Sequence, residues 1–187
     1  MVDAPTFAGP ARDRILEAAE RVVTEVGPAH MTLELVAQEA GVSKGGLLYH
    51  FPSKETLLTA LAHRHVENAR QCIEAAKERL ATGDKAAEVK ACIVGMLGNN
   101  ARTKGTGAAL LAAAANDLGL LEIIREYIAR HTEEIAKGPG NFARACAVTL
   151  AVDGLKMRES LRISPFTDAQ RDQVVAELLK IAEEAYK

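Results

Sequence analysis

The 187-residue chain contains no tryptophan, only three tyrosines and four phenylalanines, and only three cysteines. Cys72, Cys92 and Cys146 are widely spaced, and no CxxC pair or Cys/His cluster accompanies them. This spacing argues against a disulfide framework and against a zinc module. Cysteines used in this way are typical of small buried hydrophobic residues in a reducing cytoplasm.

The chain also lacks a large excess of either charge. It has 23 Lys and Arg residues and 25 Asp and Glu residues, which give a net charge of −2. A globally basic chain is the usual sign of nucleic-acid binding, so the total charge gives no hint of it. The longest apolar run, 108–115, is far shorter than the about 20 residues that cross a membrane. The N-terminus has neither the basic nor the apolar region of a signal peptide. We therefore expect a cytoplasmic protein that makes no membrane contact.

Proline is absent between Pro52 and Pro139, which leaves room for long helices. Sustained apolar/polar alternation is missing as well, so the sequence predicts an all-α fold. Gly27-Pro28 should stop the first helix, whereas Thr32, Ser43 and Ser53 should cap the next three. The predicted helices are residues 11–26, 33–40, 43–51, 53–80, 85–102, 107–115, 118–137, 141–161 and 168–186.

Residues 33–51 read LELVAQEAGVSKGGLLYHF and carry the most informative pattern. Two short helices flank the turn Ala40-Gly41-Val42, which is the spacing of a helix-turn-helix. Gly41 stands where a left-handed backbone conformation is least costly for glycine. Ser43 should cap the following helix and leave its first N–H groups as an anion site.

The second of these short helices has features that fold stability does not explain. Gly45 and Gly46 each cost a helix about 1 kcal/mol relative to alanine, whereas close approach of the backbone to a phosphate or groove wall would require them. Lys44 could reach guanine acceptors or a phosphate. The candidate DNA contacts are Thr32, Ser43, Lys44, Gly45, Gly46, Tyr49, His50 and Lys54.

Less specific interpretations of these residues remain open at this point. The two glycines could form a plain loop, and Tyr49 and Phe51 could both belong to the core. Residues 1–54 carry a net charge of −2, from five basic and seven acidic residues, although the segment 41–54 contains Lys44 and Lys54 and no acidic residue. We therefore expect a local positive stripe, together with weak non-specific DNA binding.

The first helix together with TLELVAQEAGVSKGGLLYHFPSKETLLTAL resembles the DNA-binding domain of the tetracycline-repressor (TetR) family of bacterial regulators. The resemblance covers about residues 12–61. It implies an all-α homodimer with a variable C-terminal ligand domain, and repression relieved by a small molecule. The family usually has tyrosine directly after the apolar residue at position 47, whereas this chain has Leu48 there and its tyrosine at Tyr49.

These observations predict three segments. Residues 1–10 form a disordered arm, 11–52 a three-helix helix-turn-helix DNA-binding domain, and 53–187 a larger helical domain for ligand binding and dimerisation. Residues 145–152 are apolar all round and therefore need burial on two sides. We predict a dimer interface at Val148, Val152, Val174 and Leu178; the alternative is that this helix is central in a monomer core.

Polar residues on otherwise apolar helices are the best markers of a ligand pocket among helices 4 to 8. We predict a pocket for a small, mainly apolar effector, lined by Met96, Asn99, Asn100, Leu111 and Asn116. The alternatives are that Asn116 is a helix cap and that Met96 belongs to the core. Asp153, Arg158 and Glu159 are expected to pair with each other or across the dimer.

The sequence predicts no metal site, no cofactor and no catalytic constellation. His63 and His65 are two residues apart and face different directions on a helix, and His131 is isolated. The predicted protein is a ligand-responsive repressor that binds a palindromic double-stranded operator, with the fourth helix transmitting the signal. The rival hypotheses are a helical enzyme and a protein-interaction module without DNA binding.

Overall fold

A computed structural model of the chain describes residues 9–98, 105–115 and 117–187. Within these ranges the chain forms nine α-helices and no strand, as the proline distribution and apolar periodicity predict. None of the described helices is both long enough and apolar enough to cross a membrane. The helices are α1 Pro10–His30, α2 Leu33–Ala40, α3 Lys44–His50, α4 Lys54–Lys77, α5 Ala87–Leu97, α6 Thr106–Ala114, α7 Leu118–Lys137, α8 Phe142–Ser160 and α9 Asp168–Ala185.

Several predicted helix ends are confirmed by the backbone conformation. Gly27 leaves the helical region with φ of 77° and ψ of 164°, so α1 is interrupted where Gly27-Pro28 predicts a stop. Gly41 ends α2 in the left-handed conformation, with φ of 63°. The Asp153-Gly154 pair, which resembles a hairpin signal in isolation, lies inside α8. The arm predicted at residues 1–10 lies almost entirely outside the described residues.

Two compact units divide the chain. The first comprises the described residues up to Arg64 together with 109–121, and the second comprises 65–108 and 122–187. The helix α4 contributes its first half to one unit and its second half to the other. The predicted domain boundary at residue 52 remains a prediction, because the units are defined by packing and α4 belongs to both.

In the first unit, α1 packs against α2, and α2 packs against α3. The guanidinium of Arg64 on α4 lies 3.4–3.6 Å from carboxylate oxygens of Asp13, Glu17 and Glu20 on α1. Burial of the apolar faces and this ion-pair group together fix α1 and α4 around α2 and α3. The largest fully buried side chains of this unit are Ile15, Val23, Met31, Val36, Leu47, Leu57, Leu61 and Leu120.

In the second unit, α5, α8 and α9 pack against one another around a common apolar core. A Cβ atom on Gly95 would lie 2.7 Å from the carbonyl oxygen of Cys72, so only glycine permits α4 and α5 to approach this closely. None of the three cysteines forms a disulfide, and Cys92 is buried whereas Cys72 and Cys146 are half-buried. This agrees with their expected use as small hydrophobic residues.

The structure corrects the predicted dimer interface. Val148 and Val152 are 1% and 0% exposed in the isolated chain, and Leu178 is 6% exposed, because α5, α8 and α9 pack against one another. Val174 is half-buried against the same core. Val148, Val152 and Leu178 therefore belong to the core of their own protomer, as the alternative has it, whereas Val174 stays a prediction as an interface residue.

Candidate nucleic-acid interface

The start of each helix in the candidate interface is fixed by a side-chain cap. The hydroxyl of Thr32 accepts a hydrogen bond from the backbone N–H of Leu35 at 3.2 Å. The hydroxyl of Ser43 accepts one from the N–H of Gly46 at 3.1 Å. Both caps are exposed, and each hydroxyl keeps its own hydrogen as a donor. Thr32 and Ser43 can therefore hold their helices and still donate to a phosphate.

The helix α3 separates its apolar and exposed residues sharply. Leu47 is 0% exposed and Phe51 is 3% exposed, so both belong to the core. Tyr49 is 79% exposed, and its ring lies nearly perpendicular to that of His50 at a centroid distance of 5.1 Å. The alternative that Tyr49 is a core residue is therefore wrong, whereas for Phe51 it is correct. A tyrosine this exposed offers its phenolic hydroxyl to a partner.

The surroundings of Gly45 and Gly46 show that packing alone does not require this glycine pair. Both residues are helical, and a Cβ atom on Gly45 would meet nothing within 4 Å. A Cβ atom on Gly46 would lie 3.2 Å from the hydroxyl oxygen of Ser43, which is its own cap. The plain-loop alternative is excluded by the helix. The smooth surface at Gly45 is therefore available to something outside the protein.

The charge on Lys44 has a partner that the sequence pattern does not reveal. Its Nζ lies 2.5 Å from Oε1 of Glu34 in the first turn of α2, and both side chains are more than half exposed. A hydrogen bond from Lys44 lowers the pKa of Glu34. The segment 41–54 contains no acidic residue in sequence. In the folded chain, however, the carboxylate of Glu34 from α2 lies beside Lys44. The expected positive stripe is correspondingly weakened.

Lys54 lies at the start of α4 and is half-buried. Its Nζ donates to the backbone carbonyl of Ala29 at 3.4 Å, in the part of α1 that follows the interruption at Gly27. The reciprocal hydrogen bonds of Ser53 and Thr56 fix this end of α4, with the hydroxyl of Ser53 accepting from the N–H of Thr56 at 3.2 Å. Lys54 therefore links the start of α4 to the end of α1.

The predicted pocket residues are not assembled by the described structure. Asn99, Asn100 and Asn116 lie outside the described residues. Met96 packs against the core of the second unit, whereas Leu111 is half-buried in the first unit. These residues stay predictions as pocket residues. The core alternative for Met96 is supported by its packing.

Sequence reasoning missed a polar group inside the second unit. Tyr127 and His131 on α7 stack with ring centroids 6.5 Å apart. Asp153 on α8 lies near both residues and contributes to the raised pKa of Tyr127. The expected pairing of Asp153, Arg158 and Glu159 is wrong for Glu159, whose carboxylate lies 2.5 Å from the guanidinium of Arg171. The four-residue spacing of Tyr127 and His131 was a visible signal, because it places both on one helix face.

Two family sequence profiles match the chain. "Tetracyclin repressor-like, C-terminal domain" matches residues 86–183, and "Bacterial regulatory proteins, tetR family" matches residues 15–61. The second match contains α2, α3 and the beginning of α4. Together the two profiles account for the candidate interface and for the core of the second unit.

Individual proteins show the same similarity. An HTH-type transcriptional regulator of Mycobacterium tuberculosis is 46% identical over 54 residues, which is 29% of this chain and 27% of that protein. The match therefore spans about a quarter of that relative's length. A TetR-family transcriptional regulator from Rhodococcus sp. has a solved structure with a TM-score of 0.77 and 22% identity, and the similarity covers 96% of this chain and 100% of that one.

A further solved structure is that of the multidrug binding protein EbrR complexed with ethidium. Its TM-score is 0.64 at 24% identity, and the similarity covers 90% of this chain and 98% of that chain. At this level of identity, the Rhodococcus and EbrR structures establish that the fold is shared.

Proposed function

The chain belongs to the tetR family of bacterial regulatory proteins, and we propose on that basis that it is a DNA-binding transcriptional repressor whose effector is a small molecule. The observation that carries this proposal is the exposed side of α3. A capped helix start, an unobstructed Gly45 and a 79% exposed Tyr49 lie on one short helix. Family membership favours a regulator over the rival hypotheses of an enzyme and of a protein-interaction module.

The proposed DNA contacts follow from this surface. In helix-turn-helix proteins the second helix enters the major groove with its N-terminal residues at base edges. Lys44 would then reach guanine acceptors or a phosphate, while Gly45 and Gly46 allow close approach of the backbone. Thr32, Ser43, Tyr49, His50 and Lys54 would contact phosphates, which sets position rather than sequence.

We also propose a homodimer that reads a palindromic operator. On α8, the exposed residues Ala147, Leu150, Ala151 and Gly154 follow the spacing i, i+3, i+4, i+7 and therefore share one face. Leu150 is 70% exposed, which is unusual for a large apolar residue flanked by alanine and glycine. This face, which replaces the Val148 and Val152 prediction, supports an isologous contact between two copies.

The effector is proposed to act through α4, which runs without interruption from Lys54 to Lys77 and contributes to both units. The similarity to EbrR, whose solved structure holds ethidium, supports an organic effector for this chain as well. Near-complete release from DNA requires about 10⁴-fold preference of the effector for one of two states, or about 5.5 kcal/mol. Such a regulator would act in the cytoplasm, where the chromosome lies.

Selection from a random duplex library with the purified chain tests the proposal. We expect enrichment of an inverted repeat whose half-sites are separated by about one helical turn, or a multiple of it. Lys44→Ala should then weaken binding about tenfold or more and reduce the salt dependence, whereas Lys85→Ala, a surface lysine before α5, should not. Failure to enrich any sequence would contradict the function. Unchanged affinity of Lys44→Ala would contradict the site alone.

A further inference from the structure

A cluster of polar side chains lies inside the second unit and is separate from the nucleic-acid interface. We call it the α7 cluster, and it consists of Tyr127 and His131 on α7, Asp153 on α8, and Glu88 and Cys92 on α5. The rings of Tyr127 and His131 are nearly parallel, with an angle of 7° between their planes. Because all five residues belong to one unit, the packing of that unit sets their relative positions.

The two ring nitrogens of His131 differ in their surroundings, because a carboxylate lies near Nδ1 whereas Nε2 has no hydrogen-bond partner among the described residues. Its Nδ1 lies 3.7 Å from Oε1 of Glu88, whose other oxygen accepts a hydrogen bond from Lys77 Nζ at 2.6 Å. Its Nε2 is buried and has no hydrogen-bond partner among the described residues. A carboxylate beside Nδ1 favours the tautomer that carries its proton there. Nε2 is then an acceptor without a donor, in a place where unpaired polar atoms are rare.

Asp153 combines solvent access with a raised pKa. Its side chain is exposed, yet surrounding protein raises the pKa of the carboxyl group, and nearby His131 offsets this only in part. That combination is expected of a carboxyl group in the wall of a concave site.

Two neutral groups of the α7 cluster, a thiol and a phenol, are held in their protonated forms by their surroundings. Burial raises the pKa of the Cys92 thiol to about 12, and Asp153 and Glu88 add to this shift. Burial likewise raises the pKa of the Tyr127 phenol, with Cys92 and Asp153 as further contributors. Lys156, one turn beyond Asp153 on α8, instead lowers the pKa of His65, whose main cause is burial. The cluster therefore offers the acceptor His131 Nε2 and the carboxylate of Asp153, while the carboxylate of Glu88 is already paired with Lys77.

A metal ion does not suit this cluster. Within the described part of the chain, no three His, Cys, Asp or Glu side chains are placed to hold a metal. An organic ammonium or amidinium group suits it better, because such a group carries N–H donors as well as charge. An aromatic ring beside the carboxylate adds to the attraction of a cation.

We propose that the α7 cluster recognises the effector as a small organic cation with at least one N–H donor. Asp153 pairs with the charge, and His131 Nε2 accepts a hydrogen bond from the same group. Tyr127, whose ring stacks with that of His131, provides an aromatic surface. This inference rests on the proposed function and adds to it the chemical class of the effector and the residues that read it.

Direct titration of the purified full chain, without DNA, tests the assignment with matched probes. Benzylammonium carries charge and N–H donors, benzyltrimethylammonium carries charge alone, benzyl alcohol is neutral and benzoate is an anion. Calorimetry or ligand-observed NMR at slightly alkaline pH should rank benzylammonium first and benzoate last. Asp153→Asn should weaken both cations about tenfold and leave benzyl alcohol unchanged, since a charge-assisted contact is lost.

The variant His131→Phe separates the hydrogen bond from the charge. It keeps an aromatic ring beside Tyr127 and removes the Nε2 acceptor, so it should weaken benzylammonium but not benzyltrimethylammonium. Asp172→Asn removes an exposed carboxylate of α9 and should change neither affinity. Thermal unfolding of each variant establishes that it is folded before its affinities are compared.

The outcomes distinguish this inference from the proposed function. Benzoate binding as tightly as benzylammonium, no measurable cation binding, or wild-type affinity of a folded Asp153→Asn variant would overturn the assignment. Operator binding by the wild-type chain is measured separately. If the wild-type chain binds cations but no operator, the regulator proposal is overturned. If it binds an operator but no cation, only the cation site is overturned.

Discussion

At Gly45 the absence of a side chain matters to a partner more than to the fold. The residue is helical and exposed, and a Cβ atom there would meet no other atom of the chain within 4 Å. Alanine is about 1 kcal/mol more favourable than glycine in a helix interior. A residue that lowers helix stability without an internal packing reason indicates selection for close approach of another molecule.

The variant Gly45→Ala should therefore separate stability from binding. We expect the free energy of unfolding to rise by up to about 1 kcal/mol, because alanine restricts the unfolded chain and suits the helix. We also expect operator affinity to fall, because a methyl group would stand between the helix and the groove. Urea unfolding and fluorescence anisotropy measure the two effects. A variant that binds DNA as well as wild type would show that Gly45 does not contact it.

Glu34 is the second residue whose role is visible only in the folded chain. Its carboxylate holds Lys44 at 2.5 Å, so the lysine must exchange this contact for a DNA phosphate or base. Both side chains are exposed, and exposed pairs of this kind contribute little to stability. The pair therefore bears on binding more than on the fold.

Replacing Glu34 with glutamine should tighten operator binding about two- to threefold at moderate salt and steepen the salt dependence, because Lys44 no longer has a competing partner. Glu25→Gln on α1 provides the same charge change away from α3. Anisotropy titrations over a series of salt concentrations give both quantities. Equal gains in the two variants would mean that total charge, and not the Lys44 contact, is responsible.

At the scale of the element, local capping chemistry sets where most helices begin. Thr32, Ser43 and Asn141 each accept a hydrogen bond from the N–H three residues ahead, and Thr167 forms a capping box with Gln170. The helix α5 is different, because Ala86 at its N-cap has no side chain to offer. Asp84 takes over this role by accepting from the N–H of Ala86 at 2.9 Å and from Lys90 Nζ at 2.9 Å.

Asp84→Asn should lower the free energy of unfolding near neutral pH by under about 1 kcal/mol. The hydrogen bond from Lys90 lowers the pKa of Asp84, so its stabilising effect is present above the unfolded pKa of about 3.9 and is lost as the pH falls through the lower folded pKa. The difference between wild type and variant should therefore shrink below about pH 4. Urea unfolding across this range measures it, with Glu126→Gln as the control. A pH-independent difference would contradict the ionic origin.

At the scale of the whole molecule, the proposed regulator depends on two copies acting together. One α3 helix offers a short interface with modest positive charge, since Lys44 is paired with Glu34. When two helix-turn-helix domains are linked in a dimer, binding of the second domain to DNA becomes intramolecular and the overall affinity rises. The exposed face of α8 around Leu150 is the surface that we assign to this link.

Leu150→Glu should convert the dimer to a monomer and weaken operator binding by about a hundredfold or more. The substitution places a charge on a side chain that is 70% exposed, so the protomer itself should remain folded. Ile128→Glu alters another exposed aliphatic residue, on α7, and should leave the mass unchanged. Light scattering and anisotropy measure mass and affinity. A dimer that persists in Leu150→Glu would place the interface elsewhere.

The order and the approximate limits of the helices could be predicted from the sequence, because caps, glycines and apolar spacing act over three or four residues. Leu118–Lys137 and the starts at Leu33 and Asp168 agree with the expected limits. The same local rules left open which of Tyr49 and Phe51 is buried, and the structure exposes Tyr49 and buries Phe51. The pairing of Lys44 with Glu34 could not be predicted, because ten residues and a turn separate them.

What the sequence by itself determined is the all-α fold, the helix-turn-helix and the limits of most of its helices. Only the tertiary structure decided which neighbours share a site. It moved Val148 and Val152 from a proposed partner contact into the core, and it brought Asp153 beside Tyr127 and His131. The physical reason is that burial and electrostatic coupling depend on which helix faces meet, and apolar periodicity identifies a buried face without naming what covers it.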